Sequence, residues 1–110
     1  MPYDEALAER VREQMSARGD VSEMEMFGGI AFMLGGNMAV GVRDDDLLVR
    51  LSREDAQSAL SEEGVRPFEM GGRRQPKGWV LVEPERLTDD AGLSEWVDAG
   101  ADYAASLPAK

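Results

Sequence analysis

MEMFGGIAFMLGGNMAVGV, residues Met24–Val42, has no charged side chain from Met26 to Val42, in a chain of which 31% of the residues are charged. Three structures could account for such a gap: a membrane span, a glycine-rich phosphate cradle, or strands around a turn. A spanning helix needs about 20 predominantly apolar residues. Here Gly28, Gly29, Gly35, Gly36, Asn37 and Gly41 interrupt the run, and each glycine in a helix interior costs about 1 kcal/mol relative to alanine. A phosphate-binding loop of the GxxxxGK[ST] kind needs a lysine that is absent, and the GxGxxG dinucleotide pattern is also missing.

The two-residue period of strands does fit. Ile30, Phe32 and Leu34 share one face, with Ala31 and Met33 on the other. Gly35-Gly36-Asn37 makes a turn, after which Met38, Val40 and Val42 alternate with the small Ala39 and Gly41. The acidic turn Asp44-Asp45-Asp46 leads to Leu47–Leu51, where Leu47, Val49 and Leu51 oppose Leu48 and Arg50. The pattern predicts a three-stranded antiparallel meander, entered through a bulge or bend at Phe27-Gly28-Gly29.

Outward from the meander, residues 3–18 read as an amphipathic helix with Tyr3, Leu7, Val11 and Met15 on its apolar stripe. Gly19-Asp20 ends it. Ser52 and Asp55 have capping-box-like spacing before a second helix with Ala56, Ala59 and Leu60 on its face, closed by Gly64. Val65–Met70 and Trp79–Glu83 read as two strands joined by the loop or long turn GGRRQPKG. Thr88 or Ser94 is expected to cap a last helix bearing Leu93, Trp96, Val97, Gly100, Ala101 and Ala104. Gly100 on that face points to close backbone approach. The predicted order is α-β-β-β-α-β-β-α, a two-layer α+β domain with an antiparallel sheet.

At 110 residues the chain is expected to be one domain, 1–110. There are 22 acidic against 12 basic residues, a formal charge of −10, which repels phosphate backbones at long range and argues against non-specific nucleic-acid binding. Cysteine and histidine are both absent. That removes thiolate and imidazole zinc sites, cysteine nucleophiles and every Ser-His or Cys-His arrangement. The N-terminus MPYDEALAER has neither the basic nor the apolar region of a signal peptide. A cytoplasmic, non-membrane protein is expected, with no cofactor, no metal and no enzymatic activity.

MFGGIAFMLGGNMAVGV, the acidic turn and LLVRL resemble the N-terminal domain of the TfoX/Sxy family, whose signature is Met-Phe-Gly-Gly, a hydrophobic strand, a glycine-containing turn and a second strand beginning near Met. KGWVLVEPERL and the closing helix with Trp96-Val97 are similar to the family's later elements. The resemblance covers about residues 20–105, with Phe27, Gly28 and Gly29 as its most specific block. It implies a secretion-chaperone-like α+β fold and supplies no catalytic residues. Longer members regulate natural competence and carry a second, helical domain; ending at Lys110, this sequence is expected to be a stand-alone N-terminal domain. The resemblance implies a regulatory or adaptor domain acting by protein–protein contacts, its partner either a transcriptional regulator or, in a homodimer, a second copy.

Several residues are candidates for contact. Arg73, Arg74 and Lys77, beside Gly71-Gly72, could form an anion- or partner-binding loop, which makes nucleic-acid binding the alternative function; a solvated hairpin is the plainer reading. Met33, Ala39, Gly41 and Leu48 are expected on the second sheet face, an apolar surface suited to an interface. Met24, Met26, Met33 and Met38 would make that surface adaptable, or simply fill the core. Phe27-Gly28-Gly29 could line a ligand cleft, although a required chain bend with Phe27 plugging the core is the plainer reading. Asp44-Asp45-Asp46 lacks the spaced ligands of a calcium loop. Glu23 and Glu25, two apart in an extended stretch, share a face that in principle could do acid–base work, but such pairs arise by chance in so acidic a chain.

Overall fold

The uncharged run folds as the centre of a six-stranded antiparallel sheet. The computed structural model describes residues 3–26, 28–70, 73–74 and 78–108. Helix α1 (Glu5–Met15) leads into strands β1 (Val21–Met26), β2 (Gly29–Leu34), β3 (Asn37–Arg43) and β4 (Asp46–Arg50). Helix α2 (Arg53–Ala59) is followed by β5 (Val65–Pro67), β6 (Glu69–Met70), β7 (Arg73–Arg74) and β8 (Trp79–Val82). A single 3-10 turn, Pro84–Leu87, precedes α3 (Asp90–Ala105). The sheet order is β1-β2-β3-β4-β8-β5, and β6 and β7 pair apart from it. The helices lie on one face, so the expected two-layer α+β arrangement is what the chain adopts.

The helix starts follow their capping chemistry. Asp4 accepts from the Ala6 and Leu7 amides, and Ser52 accepts from the Asp55 amide at 3.1 Å, each satisfying donors that the first helical turn leaves unpaired. The last helix is capped by Asp89, which accepts from Gly92 N at 2.9 Å, and not by Thr88 or Ser94. Thr88 follows directly on the 3-10 turn that buries Leu87, so the first free side chain able to turn back on the helix is that of Asp89.

The meander has four strands where three are expected. β1 pairs with β2 from Val21–Leu34 to Met26–Gly29. Its sequence, VSEMEM, alternates Glu23 and Glu25 with Met24 and Met26, but so short and polar a period does not by itself set an exposed edge strand apart. The long-range pairing, not the local pattern, makes it a strand.

A second correction concerns the faces of β3. The β2–β3 register shifts between Phe32 and Met33, so that Phe32 opposes Val40 while Met33 opposes Met38. Ala39 is the extra residue of a bulge. Met38 therefore leaves the face of Val40 and Val42 and joins Ala31, Leu48, Phe68 and Leu81. Ala39 instead lies in the main core with Phe32, Val40, Leu93, Val97 and Ala101.

The bulge lies directly under α3. A Cβ on Gly100 would stand 2.5 Å from the Ala39 carbonyl oxygen and 2.7 Å from Val40 Cγ1, which is the close approach expected for this glycine. Helix propensity alone would make Gly100→Ala stabilising by about 1 kcal/mol. We expect the opposite sign, a loss of about 2 kcal/mol from overpacking against main chain that cannot swing aside. A urea midpoint shift settles the sign.

Candidate partner-binding surface

Nearly all of the second sheet face is closed by the chain itself. After β5 the chain carries Phe68 across that face, where its ring centroid lies 6.4 Å from that of Trp79. The Arg43 guanidinium stands 5.6 Å from the Phe68 ring centre, and that of Arg50 stands 5.4 Å from the ring of Trp79, distances at which cations favour aromatic faces. Beneath them Ala31, Met38, Gly41, Leu48 and Leu81 are buried. Of the four residues expected to form an apolar interface, Ala39 is in the opposite core, Gly41 and Leu48 are buried, and Met33 alone is half-exposed. The sequence pattern missed this cover because Phe68 is distant in the chain from the strands it covers.

Arg73 and Arg74 form β7, paired with Met70 and Glu69 in a two-stranded hairpin. Lys77 and Phe27 lie outside the described residues. Gly28 has φ +74°, a left-handed conformation that suits glycine. Gly29 is constrained differently: a Cβ there would overlap the Val42 carbonyl oxygen of β3. Both glycines of the signature thus have backbone reasons.

In the acidic turn, Asp44 has φ +54° and its carbonyl accepts from Asp4 N at 2.7 Å, tying the turn to the start of α1. Asp46 bonds Arg66 at 2.6 Å, and Arg66 also bonds Glu83 at 2.9 Å. Burial pushes the Asp46 carboxyl above its usual range, although Arg66 opposes this. Burial works against the charge on Arg66, but Asp46 and Glu83 outweigh it and hold its pKa high. Among the described residues no group of three or more acidic side chains is arranged to hold a metal ion.

The helix layer is laced by ion pairs. Arg10 reaches Asp90 at 3.2 Å, and Arg18 reaches Asp102 at 2.8 Å and Asp98 at 3.1 Å, joining α1 and the turn after it to α3. A groove of about 300 Å³ beside Arg18 is lined by Asp20, Leu34, Asn37, Ala104 and Leu107. Two of its polar side chains are already engaged: Arg18 is doubly paired, and Asn37 donates to the Pro108 carbonyl at 2.9 Å.

Among the described residues the open edge of the sheet is β1, whose side chains from Val21 to Glu25 are exposed or half-buried. Glu23 and Glu25 stand over the helix side, opposite Phe32 and Ile30, while Ser22 and Met24 stand opposite Met33 and Ala31. Met24 is 52% exposed and is the one exposed large hydrophobic residue among those described. Arg12 of α1 grips Glu23 with two bonds, at 2.7 and 2.8 Å, and also bonds Glu9. The bond from Arg12 holds the Glu23 carboxyl below its ordinary range, although burial opposes it.

A carboxylate whose folded pKa is depressed adds stability above its unfolded pKa near 4.3 and loses it as pH falls through the folded value. Glu23→Gln is therefore expected to reduce stability at neutral pH by about half a kcal/mol, given its partial exposure. It should have no effect once the pH is below both values. Asp46 works in the opposite direction, its raised pKa favouring the fold as acid protonates it. Urea titrations of wild type and Glu23→Gln from pH 7 downward check this, the gap between them narrowing as the pH falls.

The fold defines the class: a two-layer α+β domain with an ion-paired helix layer, a sheet face closed by Phe68, and one unprotected edge. The model of the TfoX N-terminal domain family matches residues 13–104. The chain belongs to that family. No curated protein matches the chain. Among the described residues no helix is long and apolar enough to cross a membrane.

Proposed function

We propose that this domain is a non-enzymatic adaptor, acting in the cytoplasm through protein–protein contacts in transcriptional regulation of the competence type. The observation that carries this reading is the family match across residues 13–104. It is supported by the absence of histidine and cysteine from the sequence, which leaves few of the groups that serve as nucleophile or general base near neutral pH. The partner is a transcriptional regulator or a second copy of the chain. Affinity capture from the source cells with mass-spectrometric identification, alongside sedimentation at micromolar concentration, is expected to return a partner or a dimer. A monomer that captures nothing overturns the reading.

The second reading is nucleic-acid binding through Arg73, Arg74 and Lys77. The pairing of Arg73–Arg74 with Glu69–Met70 favours it, because it sets two adjacent arginines in a formed hairpin. It requires salt-sensitive binding that falls when all three residues become alanine. No gel shift at low salt removes it.

A further inference from the structure

The two edges of the sheet are built differently. β5 has three residues, ends in Pro67, which has no N–H to offer, and is held by the Arg66 pairs to Asp46 and Glu83. Short length and proline are the usual protections of a sheet edge. β1 has six residues and no proline. Among the described residues, nothing pairs with the side of its backbone away from β2.

We propose that β1 receives an extended, cationic segment of a partner protein as an added seventh strand, with Lys or Arg at every second position and apolar residues between. This rests on the adaptor reading and gives that adaptor a site. An added strand supplies backbone hydrogen bonds for affinity, while alternate side chains choose the partner. The choice follows from the faces of β1. Glu23 and Glu25 lie on one face, and Glu25 makes no ion pair among the described residues. Met24 lies on the other, beside half-buried Met33. An antiparallel neighbour sets same-face residues opposite one another. Basic residues facing the two glutamates and apolar residues facing Met24 match both sides.

A second copy of β1 is the poorer occupant. In the two two-fold antiparallel registers that pair most of the strand, Glu23 faces Glu23 or Glu25, and like charges directly opposite destabilise a sheet. The formal charge of −10 favours the cationic strand in the same sense.

The test uses a fluorescent, end-blocked Lys-Val-Lys-Val-Lys-Val peptide, the same peptide N-methylated at alternate residues, and a Glu-Val repeat. Fluorescence anisotropy is expected to show binding of the first peptide only. Glu25→Lys should weaken it about tenfold or more, with the circular dichroism unchanged because Glu25 is exposed. Amide resonances of residues 21–26 should shift on titration. Equal binding of the N-methylated peptide would reduce the effect to charge attraction and overturn the proposal. So would absence of binding, or indifference to Glu25→Lys. A concentration-dependent dimer displaced by the peptide would assign the edge to a second copy, also against the proposal. If wild type and Glu25→Lys capture the same cellular partner equally, the edge assignment fails while the adaptor reading stands. If the peptide binds as expected but nothing is captured from cells, the adaptor reading fails and the edge chemistry stands.

Discussion

Gly29→Ala is expected to destabilise the domain by roughly 3 kcal/mol, at the upper end of ordinary overpacking. The added Cβ would overlap the Val42 carbonyl oxygen and come within 3.1 Å of Arg43 Cα. Both obstacles are main chain in a neighbouring strand, so no rotamer change relieves them. β2 and β3 would have to part at the Ile30–Val42 pair, in the interior of the sheet. Gly28 is the internal control. It has φ +74°, and a Cβ added there would meet nothing within 4 Å, so Gly28→Ala meets only the left-handed penalty of about 1–2 kcal/mol. Urea unfolding of the two variants should rank Gly29→Ala as the more damaging, with unchanged m-values. The reverse ranking would mean that conformation, not strand approach, governs the signature.

Phe32→Ala is expected to cost about 4 kcal/mol, within the range for emptying an aromatic site in a core. Phe32 is 0% exposed and heads the fully buried side chains in volume. It joins the sheet to the helix layer: Val40 opposes it on β3, and the Arg12 guanidinium stands 5.9 Å from its ring centre. Domains of this size hold about 5–15 kcal/mol in total, so the variant would lose a large share of its stability. Its thermal midpoint should fall by roughly 16–32 °C at about 4–8 °C per kcal/mol. Phe32→Leu keeps most of the volume and should cost less than half as much. Thermal melts of both variants provide the measurement, and near-equal midpoints would show that the site collapses around the loss.

The elements legible in the sequence are those whose own residues are buried with a regular period. Leu7, Val11 and Met15 on α1, Leu93, Val97, Ala101 and Ala104 on α3, and Phe32, Val40, Val42, Leu47 and Val49 in the strands all occupy the core. Their spacing states both the element and its inward face. Gly100 was legible for the same reason, since a glycine on an apolar helical face implies a close neighbour. The candidate surface was much less legible. Met33, Ala39, Gly41 and Leu48 share one face in a regular meander, but the bulge at Ala39 reverses part of that assignment. Phe68, from beyond α2, then helps to close the face they were expected to leave open.

The order of the central strands and helices, the inward faces of β2 and β4, and the need for a small residue at Gly100 follow from the sequence by itself, because burial repeats with the local backbone period. Three things were decided only by the tertiary structure. VSEMEM became a strand through pairing with β2, Met38 and Ala39 were placed by a register shift that no single strand encodes, and the second face was closed by Phe68. Each depends on contacts between separate segments of the chain, where the period of one segment carries no information about what its neighbour supplies. The uncharged run that opened the sequence is therefore the middle of a sheet buried on both faces, and the exposed edge lies just before it, at Glu23, Met24 and Glu25.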